Sequence, residues 1–156
     1  MGRIHYAGYR ARVFMQTASR HSALVSNSPV MSSSNSPLLP YQRTILQQLT
    51  ESDGLLILAR GLGLQLLVAR LLKIYEDPAN LVLVINATPE EERGLGEELG
   101  MRLKCVGHDS PAKDRAELYS RGGILSVTSR IIVVDMLNKV VPVDKITGLV
   151  VLHAEK

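Results

Sequence analysis

Polar and apolar positions fall into two kinds of block along residues 37–156. Short, nearly continuous apolar runs stand at 55–59 (LLILA), 81–85 (LVLVI), 102–106 (RLKCV), 124–129 (ILSVTS) and 148–154 (GLVVLHA). Runs this short, bounded by turn residues, suit strands buried in a parallel sheet. Between them lie longer stretches with apolar residues at helical spacing. Residues 40–49 (PYQRTILQQL) start on Pro40 and put Ile45, Leu46 and Leu49 on one face, and "SDG" at 52–54 ends that helix. A second helix is expected over 64–75. In 88–100 (TPEEERGLGEELG) Thr88 is the expected N-cap and Pro89 the first helical residue. Glu90, Glu91 and Glu92 complement the helix dipole there and read as a solvated first turn. Residues 110–123 repeat the Ser-Pro start and Gly stop of a helix. "RIIVVDMLN", 130–138, stays open between helix and strand, because its β-branched run conflicts with its helical context. Strands separated by about 10–15 residues of helical pattern argue for βαβ units. The fold class expected is α/β, a parallel sheet with helices on both faces.

Residues 1–36 break the pattern. They are Arg- and Ser-rich, contain no acidic residue and end in "SNSPVMSSSNSP". Such a composition buries too little apolar surface to offset the entropy of ordering, so a disordered leader is expected. Its make-up also matches a mitochondrial transit peptide. A non-conserved tail, or a true start at Met15 or Met31, explains it more plainly.

Charge follows the same division. The net charge is +3, yet residues 1–50 hold five of the 18 basic side chains and none of the 15 acidic ones. Residues 51–156 therefore carry −2, and no general electrostatic pull of the folded part toward DNA is expected. The single cysteine, Cys105, excludes an internal disulfide framework and is expected to be a buried thiol. Four histidines (His5, His21, His108, His153) show no metal-ligand spacing, and His153 reads as a satisfied, partly buried side chain. Asp135 and Asp144 are too isolated to serve as an acid–base pair. No apolar run approaches the roughly 18 residues of a membrane span.

The stretch with candidate chemistry is "LLILARGLGLQLLVARLL", 55–72: an apolar run, a glycine turn and a helix. That is the layout of a phosphate-binding loop, with Gly61 and Gly63 freeing backbone N–H groups to face an anion at the helix N-terminus. With Gly63 as the second glycine of GxxxxGK[ST], Leu64 replaces the Lys and Gln65 the Ser or Thr, while Leu58 stands at the first glycine. The cation for the β- and γ-phosphates and the hydroxyl for Mg²⁺ are both missing. Taken alone, the stretch is a plain strand-turn-helix.

Further motifs change that reading. "LARGLGLQLLVA" resembles the phosphate loop of superfamily 2 helicases in its glycine placement. "YQ" at 41–42 resembles their Gln-containing entry helix. "LVLVINATPEEE" resembles the following motif, and "GGILSVTSRIIVVDML" the one after it, with Thr128 and Ser129 in place of Thr-Pro. "ITGLVVLHAEK" falls where helicases carry DEAH, and there Leu152, His153, Ala154 and Glu155 replace Asp, Glu, Ala and His. A helicase frame with both ATP motifs erased resembles the N-terminal helicase-like domain of the XPF family of DNA-repair endonucleases, over residues 38–156 and in wording closest to fungal members.

The resemblance implies a truncated, RecA-like first helicase lobe at 37–156, so the chain reads as a fragment, a truncated gene model or a partial sequence. In the family a disabled helicase-like module precedes a nuclease with an ERKxxxD motif that uses Mg²⁺ or Mn²⁺, together with helix-hairpin-helix repeats. The parent pairs with a small non-catalytic subunit and acts in the nucleus on branched or damaged DNA, in excision, crosslink and recombination repair. None of those catalytic residues stands in this chain, so no catalytic residue, metal or cofactor is assigned to it, and whether it is an enzyme stays open. Thr88, Thr128, Ser129 and Arg130 match helicase segments that touch the nucleic-acid backbone, contacts that position a strand without reading its sequence, and Arg60, at the turn where a helicase has Thr, is a further candidate for contact with DNA phosphate or a partner. A surface arginine and an ordinary N-cap explain Arg60 and Thr88 more plainly. The leading expectation is a non-catalytic module docking DNA and repair proteins. A divergent NTPase using Arg60 and Glu155, and a protein-interaction scaffold without DNA contact, stay open as alternatives.

Overall fold

The computed structural model describes residues 37–59, 61–107 and 109–153. The leader, Arg60, His108, Ala154, Glu155 and Lys156 lie outside the described residues, and with them every reading placed on those positions. Among the described residues five α-helices alternate with four strands. The order runs α1 (Pro40–Glu51), α2 (Leu64–Ile74), β1 (Leu81–Ile85), α3 (Pro89–Leu99), β2 (Lys104–Val106), α4 (Ala112–Arg121), β3 (Gly123–Val127), α5 (Ser129–Leu137) and β4 (Ile146–Val151).

All strand pairs are parallel and the sheet order is β2-β3-β1-β4. The side-chain period of two splits the core into two layers. Val82 and Val84 of β1 point to a cluster with Val68, Leu71 and Leu72 of α2 and Leu95 and Leu99 of α3. Leu81, Leu83 and Ile85 point the other way, to Tyr119 of α4 and Ile132 of α5. Helices therefore cover both faces, as the apolar runs imply, and β1 is buried along its whole length. Where β1 meets β4 the register slips by one residue, and the Thr147 hydroxyl takes the Leu81 N–H at 3.3 Å in place of a ladder bond.

The ambiguous run 130–138 is a helix. Its β-branched residues cost a few tenths of a kcal/mol each in helix propensity. The Thr128 hydroxyl accepts the Ile131 N–H at 3.4 Å as N-cap, Ile132 is buried, and Asp135 is held by α4. Tertiary contact outweighs propensity here.

The expected strand at 55–59 is not one. The segment takes no place in the sheet, and its burial alternates: Leu56 packs against the first cluster, whereas Leu55 and Ile57 are 52% and 58% exposed. Among the described residues β4 is paired in the sheet on its β1 side alone. An apolar run reads the same whether or not its backbone finds a ladder partner, and that partner is a non-local choice. A smaller shift affects α4, which starts at Ala112 with Pro111 as N-cap, one residue later than the Ser-Pro pattern implies.

Candidate functional site

The glycine turn is shaped by backbone and by α1. Gly61 and Gly63 sit at φ 83° and 78°, in the left-handed region, and Gly63 is the N-cap of α2. A Cβ on Gly63 would lie 2.6 Å from Nε2 of Gln42. Gln42 is buried (5% exposed); its Nε2 donates to the Leu62 carbonyl at 3.3 Å, and its Oε1 accepts the Leu39 N–H at 3.0 Å. The Tyr41 hydroxyl donates to the same Leu62 carbonyl at 3.0 Å. The Tyr-Gln pair singled out in the sequence thus clasps the turn from α1.

Beside this turn lies a cavity of about 440 Å³, bounded by the turn, α2, α3 and the end of β4. It brings together the two sequence-distant motifs: Gly61, Gly63, Leu64 and Gln65 line one side, Leu152 and His153 the other. Leu58, Val68 and Leu95 complete mostly aliphatic walls, and the polar side chains are Gln65, Glu91 and His153. None of the described lining side chains carries a permanent positive charge.

Glu91 and His153 form the polar end. His153 is 5% exposed, at φ 49°, just beyond β4. Its Nε2 lies 2.9 and 3.0 Å from the two carboxylate oxygens, and since a carboxylate only accepts, the imidazole donates. Glu91 also closes the cap of α3: its Oε2 accepts from the Thr88 N–H and hydroxyl, each at 2.9 Å, and its own N–H donates to the Thr88 hydroxyl at 3.3 Å. Burial pushes the Glu91 carboxyl up, but the bonds from Thr88 and His153 outweigh it and hold the group below its ordinary value. The expectation of a solvated glutamate turn therefore holds for Glu90, which is exposed, and fails for its two neighbours. Glu92 accepts from the Ser126 hydroxyl at 2.6 Å, because one helical step turns it over the sheet.

Cys105, expected to be buried, is exposed on the edge strand β2. Its thiol is pushed up to about 11 by desolvation and by the Glu92 carboxylate, so it is a poor nucleophile. A short edge strand exposes what a central one would bury.

Thr88, Thr128, Ser129 and Arg130 are all exposed at the carboxyl ends of β1 and β3, the edge where open α/β sheets take ligands. Asn86 (φ 61°) ties the two connections: its N–H donates to the Val127 carbonyl at 3.2 Å and its Oδ1 accepts the Ser129 N–H at 3.0 Å. The two helix starts differ in charge. Thr88 is engaged by Glu91 within an acidic first turn, whereas α5 begins Ser129-Arg130 with no acid. Arg60 lies outside the described residues, as do Ala154 and Glu155.

Asp135, isolated in the sequence, is not isolated in the fold. It is fully buried and accepts from Arg115 Nη2 at 2.6 Å, Arg115 Nε at 2.8 Å and the Tyr119 hydroxyl at 2.9 Å. Burial raises its carboxyl, but these donors more than reverse that and leave it depressed. The available signal was Arg115 and Tyr119 at i, i+4 on one helix, with Asp135 the lone acid of an apolar one. Among the described residues no group of three or more His, Cys, Asp or Glu could hold a metal ion. Among them, too, no helix is long and apolar enough to cross a membrane.

No family model matches the chain. It is 40% identical over 125 residues to the DNA repair endonuclease XPF of Cricetulus griseus, covering 77% of this chain and 14% of that protein. It is 36% identical over 123 residues to the DNA repair protein rad16 of Schizosaccharomyces pombe, covering 76% and 14%. The Drosophila melanogaster DNA repair endonuclease XPF is 39% identical over 122 residues, covering 77% and 12%. The chain thus spans about 14% of the length of the curated relatives it matches.

Proposed function

The chain belongs to the family of the DNA repair endonuclease XPF and the DNA repair protein rad16, and from that premise we propose that this segment is a non-catalytic docking module for DNA and repair proteins. One observation carries the reading. The places where a phosphate loop and a DEAH motif would supply Lys, a hydroxyl and carboxylates for ATP and Mg²⁺ here hold Leu64, Gln65, Leu152 and His153 around an aliphatic cavity. His153 takes the nearest carboxylate, Glu91, for itself. The sheet, turn and helices then act as a helicase-like frame kept for its shape. Its DNA-facing part is the carboxyl edge with Thr128, Ser129 and Arg130, where α5 presents a helix start free of acids. The small non-catalytic subunit and the Mg²⁺ or Mn²⁺ of the nuclease belong, in this reading, to parts of the parent beyond this segment, and the place of work is the nucleus.

Titration calorimetry of the 156-residue chain with ATP, with and without Mg²⁺, tests the central point. No binding below about 1 mM is expected; Mg²⁺-dependent binding in the micromolar range refutes it. The scaffold reading without DNA contact is favoured by the net −2 of residues 51–156. Binding to a splayed-arm junction that weakens with salt separates the two, since phosphate contacts release counterions.

A further inference from the structure

The outer face of α5 is apolar where a surface helix is ordinarily polar. Val133, Val134 and Leu137 follow Arg130 at the i+3, i+4 and i+7 positions, so the four side chains form one stripe. The three aliphatic ones are 54%, 45% and 77% exposed, while Ile132 and Asp135 fill the inner face. Among the other described helices, α1 and α2 each expose one large apolar side chain, Tyr41 and Ile74, and α3 and α4 none. A helix apolar on both faces is normally covered on both. The two valines also lower helix propensity at positions where the fold covers only part of them. The stripe is rigid before any partner arrives, because Thr128 caps α5 while Arg115 and Tyr119 hold Asp135.

Charge and shape select the occupant. Arg130 lies within the stripe and Lys139 just past its end; both are exposed, and neither forms an ion pair among the described residues. Asp135, the acid of α5, is turned inward to Arg115. On the adjoining α4, Glu117 pairs with Arg121, and exposed Lys113 and Asp114 offset one another. After α5, exposed Asp144 and Lys145 do the same. The stripe therefore keeps +2, one charge each from Arg130 and Lys139. A second copy of the chain would bring these like charges together. Nucleic acid finds no aromatic side chain on α5 for a base to stack on. An acidic amphipathic helix meets both demands: its apolar i, i+3, i+4 row covers the valines and Leu137, and its carboxylates reach Arg130 and Lys139.

We propose that the outer face of α5 is the docking site for an acidic amphipathic helix of a partner repair protein, packed along Arg130, Val133, Val134 and Leu137. The proposal rests on the docking reading above and assigns the protein half of it to this face. Arg130 begins the stripe at the carboxyl edge of the sheet, so a partner seated here lies beside the DNA-facing part.

The test uses the full 156-residue chain with methyl-labelled valine and leucine, and the capped peptide Ser-Leu-Glu-Glu-Leu-Leu-Glu-Ala-Leu-Glu-Gly. Saturable shifts of the Val133, Val134 and Leu137 methyls, with Kd of about 1 mM or tighter, are expected for a contact with one short helix. The same peptide with Lys for every Glu should bind at least about fivefold more weakly. The double variant Val133→Gln, Leu137→Gln is changed only at exposed positions. It should keep the urea midpoint of the parent chain and weaken binding at least about tenfold. Lys139→Glu should weaken the acidic peptide about threefold. Absence of saturable shifts up to about 10 mM overturns the inference. So does equal binding of the basic peptide, or saturation of the same methyls by an oligothymidylate of about ten nucleotides. Methyl shifts that follow protein concentration without peptide, with a dimer in sedimentation, overturn it in favour of a second copy. Micromolar ATP–Mg²⁺ binding removes the docking reading and the inference with it; failure of the peptide with ATP inert removes the inference alone.

Discussion

Replacing Asp135 by Asn should destabilise the chain by about 2–4 kcal/mol at pH 7. Its carboxylate is fully buried and takes three donors, two from the Arg115 guanidinium and one from the Tyr119 hydroxyl. Removing one member of a buried ion pair costs about 3–5 kcal/mol, because the other charge stays behind uncompensated. The lower end is expected here. The Arg115 side chain keeps 14% exposure, and its Nη1 retains the Ser110 carbonyl at 2.6 Å. Tyr119→Phe removes a single hydrogen bond, leaves both charges paired, and should cost about 1 kcal/mol. Urea unfolding followed by circular dichroism measures both. The pH dependence gives a second check with a defined sign. The folded carboxyl lies below its unfolded value of about 3.9, so its contribution is complete above that value and is lost as pH falls through the lower folded one. The gap between the parent chain and Asp135→Asn should therefore close below about pH 4. A gap under about 1 kcal/mol at pH 7, or one that persists unchanged in acid, would refute the account. The consequence reaches the site, because this network fixes α5 against α4 and α5 carries Ser129 and Arg130 to the carboxyl edge of the sheet.

Two smaller changes probe the turn and the cavity. Glu91→Gln removes the charge and turns one of the two acceptor oxygens used by Thr88 and His153 into a donor amide, and with the side chain 30% exposed the loss should be about 0.5–1 kcal/mol at pH 7. The Glu91 carboxyl is depressed, so this difference should fade as pH falls through its folded value, and equal stability of the two forms at pH 7 would show the contact to be idle. Gly63→Ala should cost about 1–3 kcal/mol, since φ 78° strains any side chain and the new Cβ meets Gln42 Nε2. Adding Gln42→Ala should relieve the clash but not the strain. Strict additivity of the two changes in urea unfolding would contradict the contact.

Much of this fold was open to reading because its signals are local. The Thr88-Pro89 start, the Gly100 stop and the all-apolar run 81–85 each encode one element through backbone chemistry and periodicity, and each stands where expected. The family resemblance was legible for the same reason, since glycine turn, capped helices and buried strands recur at similar spacing. Exposure at edges was not legible. Cys105 and the run 55–59 look like core in one dimension, but burial depends on which neighbour covers a strand and which edge stays open.

The candidate site divides the same way. The chain itself shows that Leu64 and Gln65 cannot supply a cation or a metal hydroxyl, and that Leu152 and His153 cannot supply the DEAH carboxylates, because side-chain chemistry does not depend on folding. Only the three-dimensional structure puts those positions around one cavity, ties the turn to Gln42, and turns Glu91 and Asp135 inward to His153 and Arg115. Partners separated by 62 and 20 residues leave no periodic trace. A charge becomes structural only when folding removes its water and another chain segment supplies the replacement bonds.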